Sequence, residues 1–324
     1  MKRILITGCC GFIGSHLGEK LLLMNYEIWG IDNFDNFYDK EIKQMNLNIL
    51  LKHSSFHFFE CDLRDSKFYE SFSEGQFDAV IHLAAKVGVL PSVSQPLDYI
   101  NSNISATTNL LNFMISNNIR KLLFASSSSV YGNSISIPFN EELCAVEPIS
   151  PYAFTKRSCE LLNFTYHHLY DIDVINLRLF TVYGPRQRPD LAIHKFVKLM
   201  SSNQNIKIYG DGSTSRDYTH IDDIVDGFLL ALDYAIKNHG VCETVNLGST
   251  NPVPLLDLIS IIARILKKTP KLVYEEAKQG DVSTTYADIS KAKALFNYQP
   301  STDILKGITT FIRWYEETYD NRRP

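Results

Sequence analysis

The stretch Lys2-Arg3-Ile4-Leu5-Ile6-Thr7-Gly8-Cys9-Cys10-Gly11-Phe12-Ile13-Gly14-Ser15-His16-Leu17 decides the fold. Residues 4–7 form a short apolar run closed by glycine, as expected of a strand buried on both faces. Ile13, Leu17, Leu21 and Met24 then repeat at the spacing of one helical face. Gly8, Gly11 and Gly14 therefore stand where a strand turns into a helix. There the first glycine permits a tight turn, the second lets a pyrophosphate approach the backbone, and the third allows close helix–strand packing. The helix N-terminus adds free N–H groups and a partial positive charge. Cys9 and Cys10 read as small packing residues. No second ligand cluster lies near, so no metal is expected. A helix N-terminus can lower a thiol pKa, which leaves their oxidation sensitivity open.

Outward from this loop the theme repeats. Short apolar runs at 27–31, 55–59, 79–83, 121–125 and 174–179 alternate with helical patterns at 66–72, 97–115 and 152–170. Such alternation predicts a parallel sheet covered on both faces. After residue 180 the texture is mixed: helices at 192–200, 221–236, 255–266 and 304–317, and a strand at 244–247 that could return to the first sheet. Residues 1–180 read as a dinucleotide-binding domain and 181–324 as a smaller lobe, partly interleaved with it. The 324 residues carry a formal net charge of -4, which gives no reason to expect nucleic acid as a partner. Six cysteines without a C-x-x-C pair, no signal peptide and no membrane-length apolar run predict a reduced cytoplasmic protein.

Two further features carry chemistry. Asp32 ends the second strand, where a carboxylate accepts from adenosine ribose hydroxyls and repels a 2′-phosphate, favouring NAD over NADP. Ser150-Pro151-Tyr152-Ala153-Phe154-Thr155-Lys156 places Tyr152 and Lys156 on one helical face. A lysine cation favours the phenolate, making tyrosine a general base for an alcohol. Ser126–Ser129 follow a strand at its carboxyl end, where ligands bind in open α/β sheets. The adjacent His167 and His168 point about 100 degrees apart and cannot pair on a metal.

TGCCGFIGSH, HLAA, ASSSSVYG and SPYAFTK resemble the extended short-chain dehydrogenase/reductase superfamily, and within it the nucleotide-sugar 4-epimerases. The resemblance implies an α/β fold of Rossmann type, a doubly wound parallel sheet with a smaller mixed α/β substrate-binding lobe. It implies NAD held through the catalytic cycle, a 4-keto sugar intermediate, a UDP-sugar substrate and a homodimer built from helices 97–115 and 152–170. By match, Tyr152, Lys156 and Ser127 are catalytic. The cofactor contacts are Gly8, Gly11, Phe12, Ile13, Gly14, Asp32, Asn33, Asp62, Leu63, Leu83, Ala84, Ala85, Lys86 and Asn103, besides Tyr152 and Lys156, with His82 in the cleft wall. Dehydratases and UDP-glucuronate decarboxylases of the superfamily carry an Asp-Glu or Ser-Glu before V-Y-G. Here Ser128 and Ser129 stand there, so elimination lacks its acid.

Thr181–Asp190, reading TVYGPRQRPD, resembles the segment of UDP-glucuronate 4-epimerases. An arginine fork grips a carboxylate through two hydrogen bonds. Arg188 with Thr181, Arg186 beside them, and Ser128 and Ser129 are thus expected at the sugar. Related epimerases carry G-V-R after HLAA; Gly88-Val89-Leu90 departs from this, leaving Lys86 as the nearest replacement charge. Arg216 of Ser215–Tyr218 is expected at the diphosphate, Asp281 at the UDP ribose, and Lys195 and Phe196 at uracil. Rival readings are an epimerase for UDP-glucose or UDP-N-acetylglucosamine, a decarboxylase or dehydratase, a 4-keto sugar reductase, which Asp32 argues against, and a non-catalytic dinucleotide sensor, which the Tyr–Lys pair argues against.

Overall fold

The computed structural model describes residues 2–65, 72, 77–143, 147–276 and 282–319. The first half runs β1 (Arg3–Thr7), α1 (Phe12–Leu23), β2 (Glu27–Asp32), α2 (Lys40–Leu50), β3 (Phe56–Glu60), β4 (Ala79–His82), α3 (Val89–Ser94), α4 (Pro96–Tyr99), α5 (Ala106–Ser116), β5 (Lys121–Ser127), α6 (Pro151–Tyr170) and β6 (Asp173–Leu179). The second runs β7 (Thr181–Tyr183), α7 (Ala192–Ser201), β8 (Asn205–Tyr209), β9 (Ser215–His220), α8 (Ile221–Lys237), β10 (Cys242–Leu247), β11 (Pro252–Pro254), α9 (Leu255–Leu266), β12 (Lys271–Glu275), α10 (Ser290–Phe296) and α11 (Ile304–Tyr319). The helix expected over 66–72 lies outside the described residues, except for Phe72.

Seven strands form one sheet in the order β10-β6-β5-β4-β1-β2-β3, every pair parallel. Alternate side chains of a strand face opposite ways. Ile4 and Ile6 pack with Leu17 and Leu21 of α1, Leu47 and Leu50 of α2 and Phe228 of α8. Leu5 packs on the other face with Leu110, Phe113 and Met114 of α5. Each fully buried side chain of this kind contributes about 2 kcal/mol. The chain progression reverses between β1 and β4, and that switch point opens a crevice at the carboxyl ends of the strands.

Strand β10 returns to the first sheet, as its pattern allowed, by pairing with β6, and α8 from the same half covers a face. Two elements differ from the sequence expectation. Helix α2 was not anticipated; Asp39 caps it by accepting from the Glu41 N–H at 2.9 Å. The helix expected over 97–115 is interrupted by a π-helical segment, Ile100–Ser105. That wider turn brings Asn103 inward, where its amide accepts from the Lys86 N–H at 2.8 Å and donates to the Lys86 carbonyl at 3.0 Å and Thr155 Oγ1 at 2.9 Å. The lobe has its own core of Tyr183, Phe196, Val197, Tyr218, Leu258 and Phe311. Its small sheets are β11-β9-β7 and β12-β8.

Candidate active site

A cleft of about 460 Å³ runs along the carboxyl ends of the strands. Gly8, Gly11, Phe12, Ile13 and Gly14 form one end, with Asp32, Asn33, Asp62 and Leu63 beyond them. Leu83, Ala84, Ala85 and Lys86 form a wall, and Ser127, Ser128, Ser129, Tyr152, Lys156, Thr181 and Arg188 the other end. Asn103 is buried behind that wall and holds the Lys86 backbone that shapes it.

The glycine loop is built as its spacing demands. Gly8 has φ +73°, and a Cβ on Gly14 would sit 2.2 Å from the Gly8 carbonyl oxygen. No other residue can close this turn. Cys9 is fully buried beneath Gly30, and burial, with the neighbouring Cys10, pushes its thiol pKa well up. At Cys9 desolvation outweighs the helix terminus. Asp32 accepts from the Cys10 N–H at 3.2 Å and the Phe34 N–H at 2.9 Å, and Lys43 Nζ pairs with it at 3.1 Å. Lys43 lines the cleft too, a residue the sequence reading missed along with α2. Asn33 donates to Asp62 at 2.9 Å, tying the β2 and β3 ends together.

His82 sits in a directed chain of hydrogen bonds. The Ala84 N–H donates to Thr7 Oγ1 at 3.2 Å, and Thr7 meets His82 Nδ1 at 2.6 Å. On the other side His82 Nε2 meets Thr107 Oγ1 at 3.0 Å, and Thr107 donates to the Asn103 carbonyl at 2.6 Å. Thr107 has one proton, so Nε2 carries the imidazole hydrogen and Nδ1 accepts. Burial, and then the Lys156 charge, lower the His82 pKa to about 3, so it is a neutral strut.

Ser150 caps α6 by accepting from the Ala153 N–H at 3.1 Å, and Pro151 opens the helix. This fixes Tyr152 at the cleft, edge-on to Tyr99 at 6.3 Å. Burial raises the Tyr152 pKa; a hydrogen bond from Ser127 and the charge of Arg188 pull against it without prevailing. Lys156 Nζ donates to the Ala125 carbonyl at 2.8 Å and lies 4.9 Å from the Phe124 ring. Burial lowers its pKa to about 8. The sequence reading had Lys156 drawing the phenol down. In this structure Ser127 and Arg188 exert that pull, because the ammonium is directed at a backbone carbonyl.

On the substrate side, Thr181 and Arg188 meet Tyr152 in the cleft, with Ser128 and Ser129 opposite. Among the described residues the carboxylates lining it are Asp32, Asp35 and Asp62, all from the β2 and β3 ends. Arg186 is a correction: its guanidinium pairs with Glu19 on α1, away from the cleft. Lys86 is held by Asp98 at 2.5 Å, which offsets its charge. Lys195 is exposed on α7, and Phe196 lies in the lobe core, so neither lines the cleft. Arg216 Nη1 donates to the Ser215 carbonyl at 2.8 Å and the Ser283 carbonyl at 3.3 Å. Asp281, with Gly280, Lys278 and Gln279, lies outside the described residues. His167 Nδ1 contacts the Ile172 carbonyl at 2.9 Å, a helix-end contact.

Residues 5–311 match the GDP-mannose 4,6-dehydratase family. A UDP-glucuronate 4-epimerase of Thermodesulfobacterium geofontis is 42% identical over 322 residues, covering 99% of this chain and 98% of that protein. The crystal structure of UDP-glucuronic acid 4-epimerase from Bacillus cereus, in complex with UDP-glucuronic acid and NAD, superposes with a TM-score of 0.92. It is 36% identical, with 98% of this chain and 100% of that one covered. The UDP-N-acetylglucosamine 4-epimerase of Methanobrevibacter ruminantium is 30% identical, with a TM-score of 0.88 and 98% and 99% coverage. The chain belongs to the GDP-mannose 4,6-dehydratase family, on its extended short-chain dehydrogenase/reductase epimerase branch. Its cleft fits NAD: the glycine cradle leaves no Cβ against a pyrophosphate, and Asp32 stands where an adenosine ribose would lie.

Proposed function

We propose that this protein is an NAD-dependent UDP-sugar 4-epimerase converting UDP-glucuronate and UDP-galacturonate through a 4-keto sugar. One observation carries this reading: Arg188, Thr181 and Tyr152 share one end of the cleft, where Ser128 and Ser129 replace the carboxylates an eliminating enzyme needs. NAD supplies reversible hydride acceptance at C4. Tyr152 acts as the phenolate: it takes the proton from O4, becoming the neutral phenol, and returns it after the sugar turns over. Ser127 shares a hydrogen bond with that oxygen. Lys156, held on the Ala125 carbonyl at 2.8 Å, lines the same end of the cleft. Arg188 grips the C6 carboxylate. With no acid at positions 128 and 129, the ketone is re-reduced rather than losing water.

A second reading, an epimerase of neutral UDP-sugars, is favoured by one feature: Asp98 and Asp190 already offset the charges of Lys86 and Arg188. On our reading residues 1–180 supply the cofactor half and most of 181–324 the nucleotide-sugar lobe, with Arg216 and Asp281 toward the diphosphate and ribose. We also read the protein as a cytoplasmic homodimer. Phe154, Leu161 and Phe164 on α6 and Leu97 on α4 are 46%, 53%, 60% and 73% exposed, an apolar surface that a second copy would cover. The test is incubation of purified protein with UDP-glucuronate, UDP-glucose or UDP-N-acetylglucosamine, without added NAD, resolved by chromatography with mass detection. A same-mass product from UDP-glucuronate is expected. Conversion of neutral sugars alone would select the second reading, and loss of water or carbon dioxide would refute both.

A further inference from the structure

The arginine assigned to the substrate carboxylate already holds one. Arg188 Nε donates to Asp190 Oδ1 at 2.9 Å, and Nη2 donates to Oδ2 at 2.9 Å. This is the two-point geometry by which a guanidinium takes a uronate. The pair is sheltered, the arginine side chain 19% and the aspartate 34% exposed. The guanidinium carbon lies 5.7 Å from the Phe37 ring centroid, and the arginine's charge is felt at Tyr152, at the reacting end of the cleft. Burial would raise the Asp190 pKa, but the hydrogen bonds and charge of Arg188 outweigh it and hold the carboxyl below its ordinary range.

We propose that Asp190 is an internal surrogate for the substrate carboxylate and sets how strictly the site separates acidic from neutral UDP-sugars. The proposal rests on the reading of Arg188 given above. A sheltered guanidinium with no anion beside it is strongly unfavourable. A bare Arg188 would therefore reject a neutral hydroxymethyl sugar, since that sugar would cover it and leave it unpaired. With Asp190 in place, a neutral sugar can bind while Arg188 stays paired. A uronate must instead compete with a carboxylate tethered two residues away, which acts at high effective concentration. Asp190 thus weakens uronate binding and spares neutral sugars, lowering discrimination from both sides.

The surrounding loop is fixed by other contacts, so the aspartate can be changed separately. The Gln187 amide donates to the Val182 carbonyl at 3.0 Å and accepts from the His194 N–H at 3.2 Å. The Pro185 carbonyl meets His16 Nε2 at 2.9 Å, and Arg186 is paired with Glu19.

The experiment measures kcat/KM for UDP-glucuronate and UDP-glucose on the purified holoenzyme. The proteins compared are wild type, Asp190→Asn, Arg188→Met and the double variant. Where neutral-sugar turnover is too slow, the inhibition constant of UDP-glucose replaces it. In Asp190→Asn the uronate-to-neutral ratio should rise about tenfold, equivalent to about 1.4 kcal/mol, through KM rather than kcat. In the Arg188→Met background the same change should leave the ratio unaltered. An unchanged or lower ratio in Asp190→Asn would mean that Asp190 only orients Arg188, and would overturn the proposal. So would an equal shift in the Arg188→Met background. Asp190→Ser is the second variant should the asparagine protein fail to fold, with the same expectation. Wild-type protein that turns over neutral sugars but not UDP-glucuronate would overturn the underlying reading of Arg188, an outcome visible before any variant is made.

Discussion

The two ends of the cleft are built differently. The cofactor end comes from short motifs whose partners lie at strand ends of one sheet: Gly8–Gly14, Asp32, Asp62 and Ala84–Lys86. The second half of the chain instead joins distant loops, and several of them meet at Asp217. That carboxylate is fully buried on β9. It accepts from the Ser249 N–H at 2.7 Å, Ser249 Oγ at 2.8 Å, the Thr250 N–H at 3.0 Å, the Ala287 N–H at 3.1 Å and Thr219 Oγ1 at 3.1 Å. Backbone geometry holds the cofactor end, and one polar hub joins three segments of the second half. The first should resist side-chain substitution, while the second should fail at single residues.

The largest expected effect lies where the ends meet. Tyr152→Phe should lower turnover about 10³-fold, within the range for a general base, while the protein still purifies with NAD bound, as read by absorbance after denaturation. Unaltered turnover would remove Tyr152 from proton transfer. Next, Asp217→Ala orphans several buried donors at about 1–3 kcal/mol each. A loss of about 3 kcal/mol or more in urea unfolding is expected, with UDP binding lost before NAD binding. Loss of both together would mean that the two ends do not separate.

Arg188→Met should raise the KM for UDP-glucuronate about 10–100-fold, the value of a charged hydrogen-bond pair of about 1.5–3 kcal/mol, with little change for UDP-glucose. Equal changes for both sugars would place Arg188 outside the carboxylate site.

The last test lies in pH dependence. His16 and His82 each titrate at about 3 in the folded protein, both mainly through burial; unfolded histidine titrates at about 6.5. Between those values the unfolded chain binds the extra protons. Their contribution is therefore complete above about pH 6.5 and is lost as pH falls toward 3. His82→Asn should make the acid loss shallower by about 1.4 kcal/mol per pH unit, measured by urea unfolding from pH 6.5 to 4.5. An identical slope would mean that His82 is already protonated in the fold.

Much of this molecule could be read before it was seen, for a local reason. A strand buried on both faces, a helix with one apolar stripe and a glycine at an impossible Cβ position all leave marks within a few residues. That is why β1, α1, β6 and α6 lie close to where their patterns put them. Helix α2 was missed although Ile42, Met45, Ile49 and Leu50 follow the spacing of one helical face. The return of strand β10 to the sheet could be read only as an option, because membership of a sheet is a pairing, and pairing with β6 has no local signature.

The sequence alone determined the sheet, the glycine cradle, the Tyr152–Lys156 spacing and the missing acid at positions 128 and 129, since each is a statement about residue type at fixed separation. Tertiary structure alone decided which partner each charge takes. Arg186 goes to Glu19, 167 residues away, Arg188 to Asp190, Lys86 to Asp98 and Lys43 to Asp32. Two arginines two residues apart look equivalent in the chain. They part because this loop turns one toward α1 and the other into the cleft, and a charge is satisfied by whatever the fold brings within about 3 Å of it.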